Sequence, residues 1–175
     1  MPVVRFECTC GDFDVEVMPD WAPLGVQRFL ELVEQDFFSE VRFFRVVKQP
    51  RPFVAQFGIS GTPSVADEWR SKTIKDDPAK ESNRKGTLTF ATSGPNSRTS
   101  QLFLNLADNA FLDTQGFPPI GRVVEGMDTV NAICGDYGEQ PNQMRIQSSG
   151  NAYLQAEFPK LDYIRRAFVL SSETA

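Results

Sequence analysis

Apolar and polar residues alternate one by one at the start of the chain. Val4, Phe6 and Cys8 interleave with Arg5, Glu7 and Thr9, and beyond Gly11 the residues Phe13, Val15 and Val17 interleave with Asp12, Asp14 and Glu16. Period-two alternation on both sides of a Gly-Asp turn predicts a β-hairpin of two half-buried strands, with Cys8 and Cys10 on one face near a strand end. The period then changes. Pro19-Asp20-Trp21-Ala22-Pro23 interrupts the strands, and Pro23 suits a first helical turn, where its missing N–H costs nothing. Val26, Phe29, Leu30 and Val33 follow at the spacing of one buried helical face.

Short β-like runs come next, at 43–47, 53–57, 87–91, 101–106 and 120–124, separated by Gly, Pro, Ser and Asn clusters. A second short helix fits Met127 to Ile133, with Met127, Val130 and Ile133 or Cys134 inward, and Tyr163 to Leu170 reads as a closing strand. Many short strands with two helices predict a mainly β fold, a largely antiparallel sheet closed on itself with helices at its ends. Two stretches look peripheral. Gly58 to Lys85 is polar and rich in turn formers, and Gly135 to Pro159 contains Ser148-Ser149-Gly150 and an apolar patch of Tyr153, Leu154 and Phe158. Stretches this long are functional or carry small elements of their own.

Composition narrows the function. At 175 residues the chain suits a single domain over 1–175. A domain of this size buries roughly 70% of its unfolded surface. No run approaches the ~20 apolar residues of a membrane span. The net charge of −5 is spread in both signs, which argues against nucleic-acid binding, since that needs clustered Lys and Arg. The N-terminal segment lacks the basic and apolar regions of a signal peptide, and three cysteines make no disulfide framework, so a reducing cytoplasm is expected. Nothing points to oligomerisation, and a monomer is expected. The chain holds no histidine, which removes Ser-His-Asp and Cys-His catalysis, His-based zinc sites and any imidazole base. Two thiols at Cys8 and Cys10 without further ligands fall short of a metal site, and neither metal nor cofactor is expected.

An ordered series of motifs goes further. Phe43-Phe44-Arg45-Val46-Val47 and Phe53-Val54-Ala55-Gln56-Phe57-Gly58 are followed by Gly86-Thr87-Leu88-Thr89-Phe90-Ala91. Then come Gly94-Pro95-Asn96, Ser100-Gln101-Leu102-Phe103-Leu104-Asn105, Asn109-Ala110-Phe111-Leu112-Asp113 and Gly121-Arg122-Val123-Val124-Glu125-Gly126-Met127-Asp128. In order and spacing this series resembles the cyclophilin family of peptidyl-prolyl cis-trans isomerases over most of Val3 to Ile133, with a weak return at Ile164 to Leu170.

The resemblance implies a closed eight-stranded antiparallel β-barrel capped by two α-helices, and an enzyme that turns X–Pro bonds in peptides and folding proteins. Arg45 resembles the family's catalytic arginine, with Gln56 and Gln101 as the glutamines that hold it and the substrate backbone. Phe53, Val54, Phe103 and Leu112 resemble the walls of the proline pocket. Ala91 and Thr92 resemble the strand that pairs with substrate, and Phe111 stands at the rim in place of a tryptophan. The chain also departs from the pattern. Phe44 replaces a histidine, 48–52 is a longer link, and 113–120 replaces a shorter stretch, with Phe117 as the substitute for a pocket histidine. Without the tryptophan's indole N–H, weakened affinity for the inhibitor cyclosporin is implied. Asp67, Glu68 and Trp69 are read as structural.

The chemistry accounts for these residue types. A peptide C–N bond resists rotation by ~18–20 kcal/mol because of its partial double-bond character. Twisting it localises a lone pair on a pyramidal proline nitrogen, and a fixed cationic donor gains interaction only in that state. No acid, base or nucleophile is required. Two other readings remain open. One is a binding module for proline-containing segments with little turnover. The other is a chaperone or scaffold that docks through 135–159, using Tyr153, Leu154 and Phe158 as an exposed patch unless they pack onto the barrel.

Overall fold

The computed structural model describes residues 1–170. The alternating N-terminal segment forms the hairpin β1 (Val3–Cys8) and β2 (Gly11–Val17), paired in register from Val3↔Glu16 to Cys8↔Gly11. The turn is Thr9-Cys10, two residues before the Gly-Asp pair expected, because Gly11 and Asp12 already pair in β2. Helix α1 (Pro23–Glu34) starts on Pro23 and buries Gly25, Val26, Phe29, Leu32 and Val33. Phe29 occupies the centre of that face, Leu32 is buried at one edge of it, and Leu30 lies at the other margin, partly buried. No side chain of Ala22 caps this helix. The carboxylate of Asp77 does so from a distance, accepting the Leu24 and Gly25 N–H groups at 3.1 and 2.9 Å.

The remaining strands are β3 (Val41–Arg42), β4 (Arg45–Val46), β5 (Val54–Phe57), β6 (Thr87–Phe90), β7 (Leu102–Asn105), β8 (Pro119–Glu125) and β9 (Tyr163–Val169). All pairings are antiparallel, in the order β3-β9-β1-β2-β8-β6-β7-β5-β4. This corrects the closed eight-stranded expectation: the described residues form one curled sheet of nine strands with two ends. Those ends are consecutive in the chain. The Phe43 N–H goes to Asp162 C=O on one side of the seam, and the Phe44 N–H to Gln56 C=O on the other, each at 3.1 Å. The run expected as one strand over 43–47 therefore changes partner at Phe43-Phe44: β3 ends just before it, and only Arg45–Val46 within it form a strand, β4.

The helix count also differs. Besides α1 and the short α3 (Met127–Asn131), both peripheral stretches carry a helix: α2 (Pro63–Trp69) and α4 (Gln143–Glu157). The Ser-Ser-Gly signal was misleading because α4 does break there. Gly150 has φ +60, and a Cβ at this position would run into the Gly61 carbonyl. The helices α2 and α4 pack together over a second core of Phe44, Ile59, Ala66, Ile146, Tyr153, Leu154 and Leu161. Tyr153 and Leu154 are thus internal rather than an exposed patch, with Phe158 packed beside them. Phe44, in place of the expected histidine, is 1% exposed beneath the same layer.

The interior of the curled sheet is aromatic. Phe6 lies between Phe13 (4.8 Å, stacked) and Phe57 (5.9 Å, edge-on), with Phe29 and Phe38 alongside. Strands β5, β6 and β7 are buried along their whole length. Ala55, Phe57, Leu88, Phe90, Leu102 and Leu104 point into this core. The intervening residues point to the other face, and period-two geometry thereby assembles the site there.

Candidate active site

On that outer face Arg45 of β4 lies opposite Gln56 of β5, and Gln56 lies opposite Phe103 of β7. Strand pairing thus brings residues from three separate motifs side by side. The Arg45 Nη1 donates to Gln56 Oε1 at 3.1 Å, and Gln56 Nε2 donates to Gln101 Oε1 at 2.9 Å. The guanidinium carbon stands 5.8 Å from the centre of the Phe53 ring. Its side chain is 30% exposed, at the surface rather than sealed inside.

Beside the arginine lies a small apolar cluster. Val54, Phe103 and Leu112 are buried in it, with Phe53, Ala91 and Phe117 packed around them. Phe117 meets Phe103 edge-on at 5.7 Å, and Phe111, 59% exposed, stacks on Phe53 at 5.8 Å. Ala91 continues β6 by donating its N–H to Gln101 C=O at 2.9 Å. The Thr92 hydroxyl is engaged by the Gly94 carbonyl and Ser97. Thr92 lines not the apolar cluster but an adjoining groove of about 410 Å³, which shares Ala91 with the cluster and is lined also by Gln56 and Gln101. Arg70, Gln143 and Gln147 form the groove's far side.

A network of buried amides supports the cluster from below. Asn83, fully buried, donates from Nδ2 to Asp113 Oδ1 and to the Phe117 carbonyl, both at 2.9 Å. Its Oδ1 accepts from Thr89 Oγ1 at 2.7 Å and Asn105 Nδ2 at 3.1 Å. Asn109 Nδ2 donates to Asn105 Oδ1 at 2.8 Å and to the Phe53 carbonyl at 3.0 Å. Two aromatic walls are therefore tied by their backbones to one polar layer. Burial acts to raise the Asp113 carboxyl. Hydrogen bonds from Ser82 and Asn83, with the charge of Arg84, outweigh it and hold the carboxyl below its ordinary range.

The family model for "cyclophilin type peptidyl-prolyl cis-trans isomerase/CLD" matches residues 3–151. The chain belongs to this family. Among its relatives is a peptidyl-prolyl cis-trans isomerase of Acinetobacter baylyi, 32% identical over 137 residues, 75% of this chain and 71% of the relative. Peptidyl-prolyl cis-trans isomerase B of Escherichia coli is 29% identical over 178 residues, 97% of this chain and 99% of the relative. A crystal structure of a Cryptosporidium parvum cyclophilin, 20% identical, superposes with a TM-score of 0.73 over 98% of both chains. A second structure of that protein, in the presence of the dipeptide Ala-Pro, superposes with a TM-score of 0.70 over 97% of this chain and 99% of the other.

As a cyclophilin, the chain carries its candidate residues where strand geometry requires: Arg45, Gln56, Phe53, Val54, Ala91, Gln101, Phe103, Phe111, Leu112 and Phe117 share one outer face or its rim. Phe117 reaches the cluster despite the altered length of 113–120. The trio Asp67, Glu68 and Trp69 forms the end of α2, where Trp69 is buried and the two acids pair with Arg70 and Lys72. Sequence reasoning missed three contributors. The groove wall from α2 and α4 was hidden by the misread helices. The amides Asn83, Asn105 and Asn109 were given no role in the site, although Asn105 lay in the expected strand over 101–106. Glu139, whose Oε2 lies 2.7 Å from both Nε and Nη2 of Arg45, carries no local signal at all.

Proposed function

We propose that this cyclophilin accelerates X–Pro rotation by seating the proline ring in the Val54–Phe103–Leu112 cluster and directing an Arg45 N–H at the proline nitrogen. One observation carries this reading: a cation, braced by Gln56, stands beside a compact apolar cluster near the surface. In the planar amide the nitrogen lone pair is delocalised and offers little to a donor. As the bond twists, that lone pair localises and meets a donor already in place, so stabilisation grows toward the transition state. Gln101, joined to Gln56, and the backbone at Ala91 align the peptide, while Phe53 and Phe111 cover the rim. The substrates are proline-containing peptides and folding proteins. The relatives named as isomerases, and the neighbour solved with Ala-Pro, support the same class.

The compartment we propose is a reducing cytoplasm, on the strength of the free thiols Cys8, Cys10 and Cys134. The activity is tested by protease-coupled or NMR exchange measurements on an X–Pro peptide. Arg45→Ala is expected to lower the catalysed rate by ~10²–10³, the cost of losing one preorganised donor. Equal rates for the variant and the wild type would reject the arginine mechanism. Normal peptide affinity with only background exchange in the wild type would favour a binding module.

A further inference from the structure

The outer edge of β4 does not face open solvent. The Val46 N–H donates to the Gly138 carbonyl at 3.3 Å, so the segment between α3 and α4 docks beside the arginine. Gly138 makes this turn with φ +54. Tyr137, just before it, packs edge-on against Phe158 at 5.0 Å, and its hydroxyl accepts the Lys160 N–H at 3.1 Å. The Gln140 N–H returns to the Tyr137 carbonyl at 3.0 Å. Glu139 therefore stands between anchored neighbours, and its Oε2 accepts the Arg45 Nε–H at 2.7 Å and pairs with the charge at Nη2, also at 2.7 Å.

We infer that Glu139 is a positioning residue for the isomerisation, holding the Arg45 guanidinium from the side opposite Gln56. This rests on the reading of Arg45 given above. A guanidinium has five N–H donors fixed in one plane. Glu139 accepts the Nε–H and stands 2.7 Å from Nη2 as an ion pair, and Gln56 accepts one N–H of Nη1. N–H groups on the terminal nitrogens are left for the substrate. A long, flexible side chain with many rotamers is thereby confined to one orientation before substrate arrives, which is the advantage of preorganisation. The pair adds little to the fold, since Arg45 is 30% and Glu139 60% exposed. Its effect is on turnover.

The test compares Glu139→Ala, Glu139→Gln and Arg45→Ala with the wild type in the exchange assay. Glu139→Ala is expected to lower kcat about 3–10-fold with KM within about twofold, since loss of alignment acts on the chemical step. Its melting temperature stays that of the wild type. A single carboxylate oxygen accepts the Nε–H, so the one carbonyl oxygen of Glu139→Gln can replace it and restores kcat to within about twofold. The Arg45 Nε–H resonance in the NMR spectrum is protected from exchange in the wild type and Glu139→Gln and loses that protection in Glu139→Ala. Turnover in Glu139→Ala equal to or faster than the wild type overturns the inference, the latter marking a carboxylate that obstructs the arginine. Glu139→Gln as slow as Glu139→Ala overturns it too. If Arg45→Ala is itself unchanged, the mechanism fails; if Arg45→Ala is impaired and Glu139→Ala is not, only the role of Glu139 fails.

Discussion

Replacing Asn83 by Ala probes how the pocket is held. Asn83 is fully buried, and its side chain makes four hydrogen bonds, to Asp113, the Phe117 carbonyl, Thr89 and Asn105. Not every partner is left empty by the change. Asp113 keeps Ser82 and the residue 83 N–H, and Asn105 keeps Thr87 Oγ1. The Phe117 carbonyl and the Thr89 hydroxyl lose the partner they have in this layer. Two stranded buried groups cost ~1–3 kcal/mol each, so a loss of about 2–6 kcal/mol is expected. For a domain of this size that corresponds to a melting temperature lower by roughly 4–24 °C. Urea titration gives the free energy, and thermal unfolding gives the midpoint. The same change frees the Phe117 backbone, so kcat/KM on an X–Pro peptide falls in the surviving folded protein. A loss under about 1 kcal/mol with unchanged kcat/KM would refute the idea that this amide layer braces the pocket.

Three further outcomes follow from the structure. Asp77→Ala leaves the Arg98 guanidinium, 1% exposed, without its carboxylate and uncaps α1, so urea unfolding should show a loss of about 3–5 kcal/mol. The Asp113 carboxyl lies below its ordinary range, so the stability it adds is present above the unfolded-state value and is lost as pH falls through the lower folded value. Asp113→Asn should flatten that acid limb in melting experiments across pH, and an unchanged limb would assign it to other carboxylates. Phe111→Trp restores an indole N–H at an exposed rim position, and cyclosporin should bind about 2–10-fold tighter by calorimetry, the gain of one hydrogen bond.

The alternation of Val4, Phe6 and Cys8, and of Phe13, Val15 and Val17, was enough to place β1 and β2, because side-chain direction in a strand is set locally. Arg45, Gln56 and Phe103 were readable as a group only through the resemblance of their motifs to the family; the structure supplies the register that puts them on one face. Boundaries were less legible. The 43–47 run splits at Phe43-Phe44, since each half takes a different hydrogen-bond partner, and partner choice is not a property of the run itself. The helix α2 is seven residues long, too short for a clear period. In α4, Gly150 imitates a turn because it lets the Gly61 backbone approach.

Local patterning by itself determined the N-terminal hairpin and the first helix, since these follow from the two-residue and 3.6-residue periods of the backbone, while the grouping of arginine, glutamine and phenylalanine was legible through the resemblance of their motifs to the family. Tertiary structure decided the rest. Only the path of the 135–142 segment brings Glu139 to Arg45 across 94 positions of sequence. Only the stacking of α2 on α4 creates the groove wall and buries Tyr153. Contacts between residues so far apart depend on where whole elements dock, and no short-range pattern encodes that.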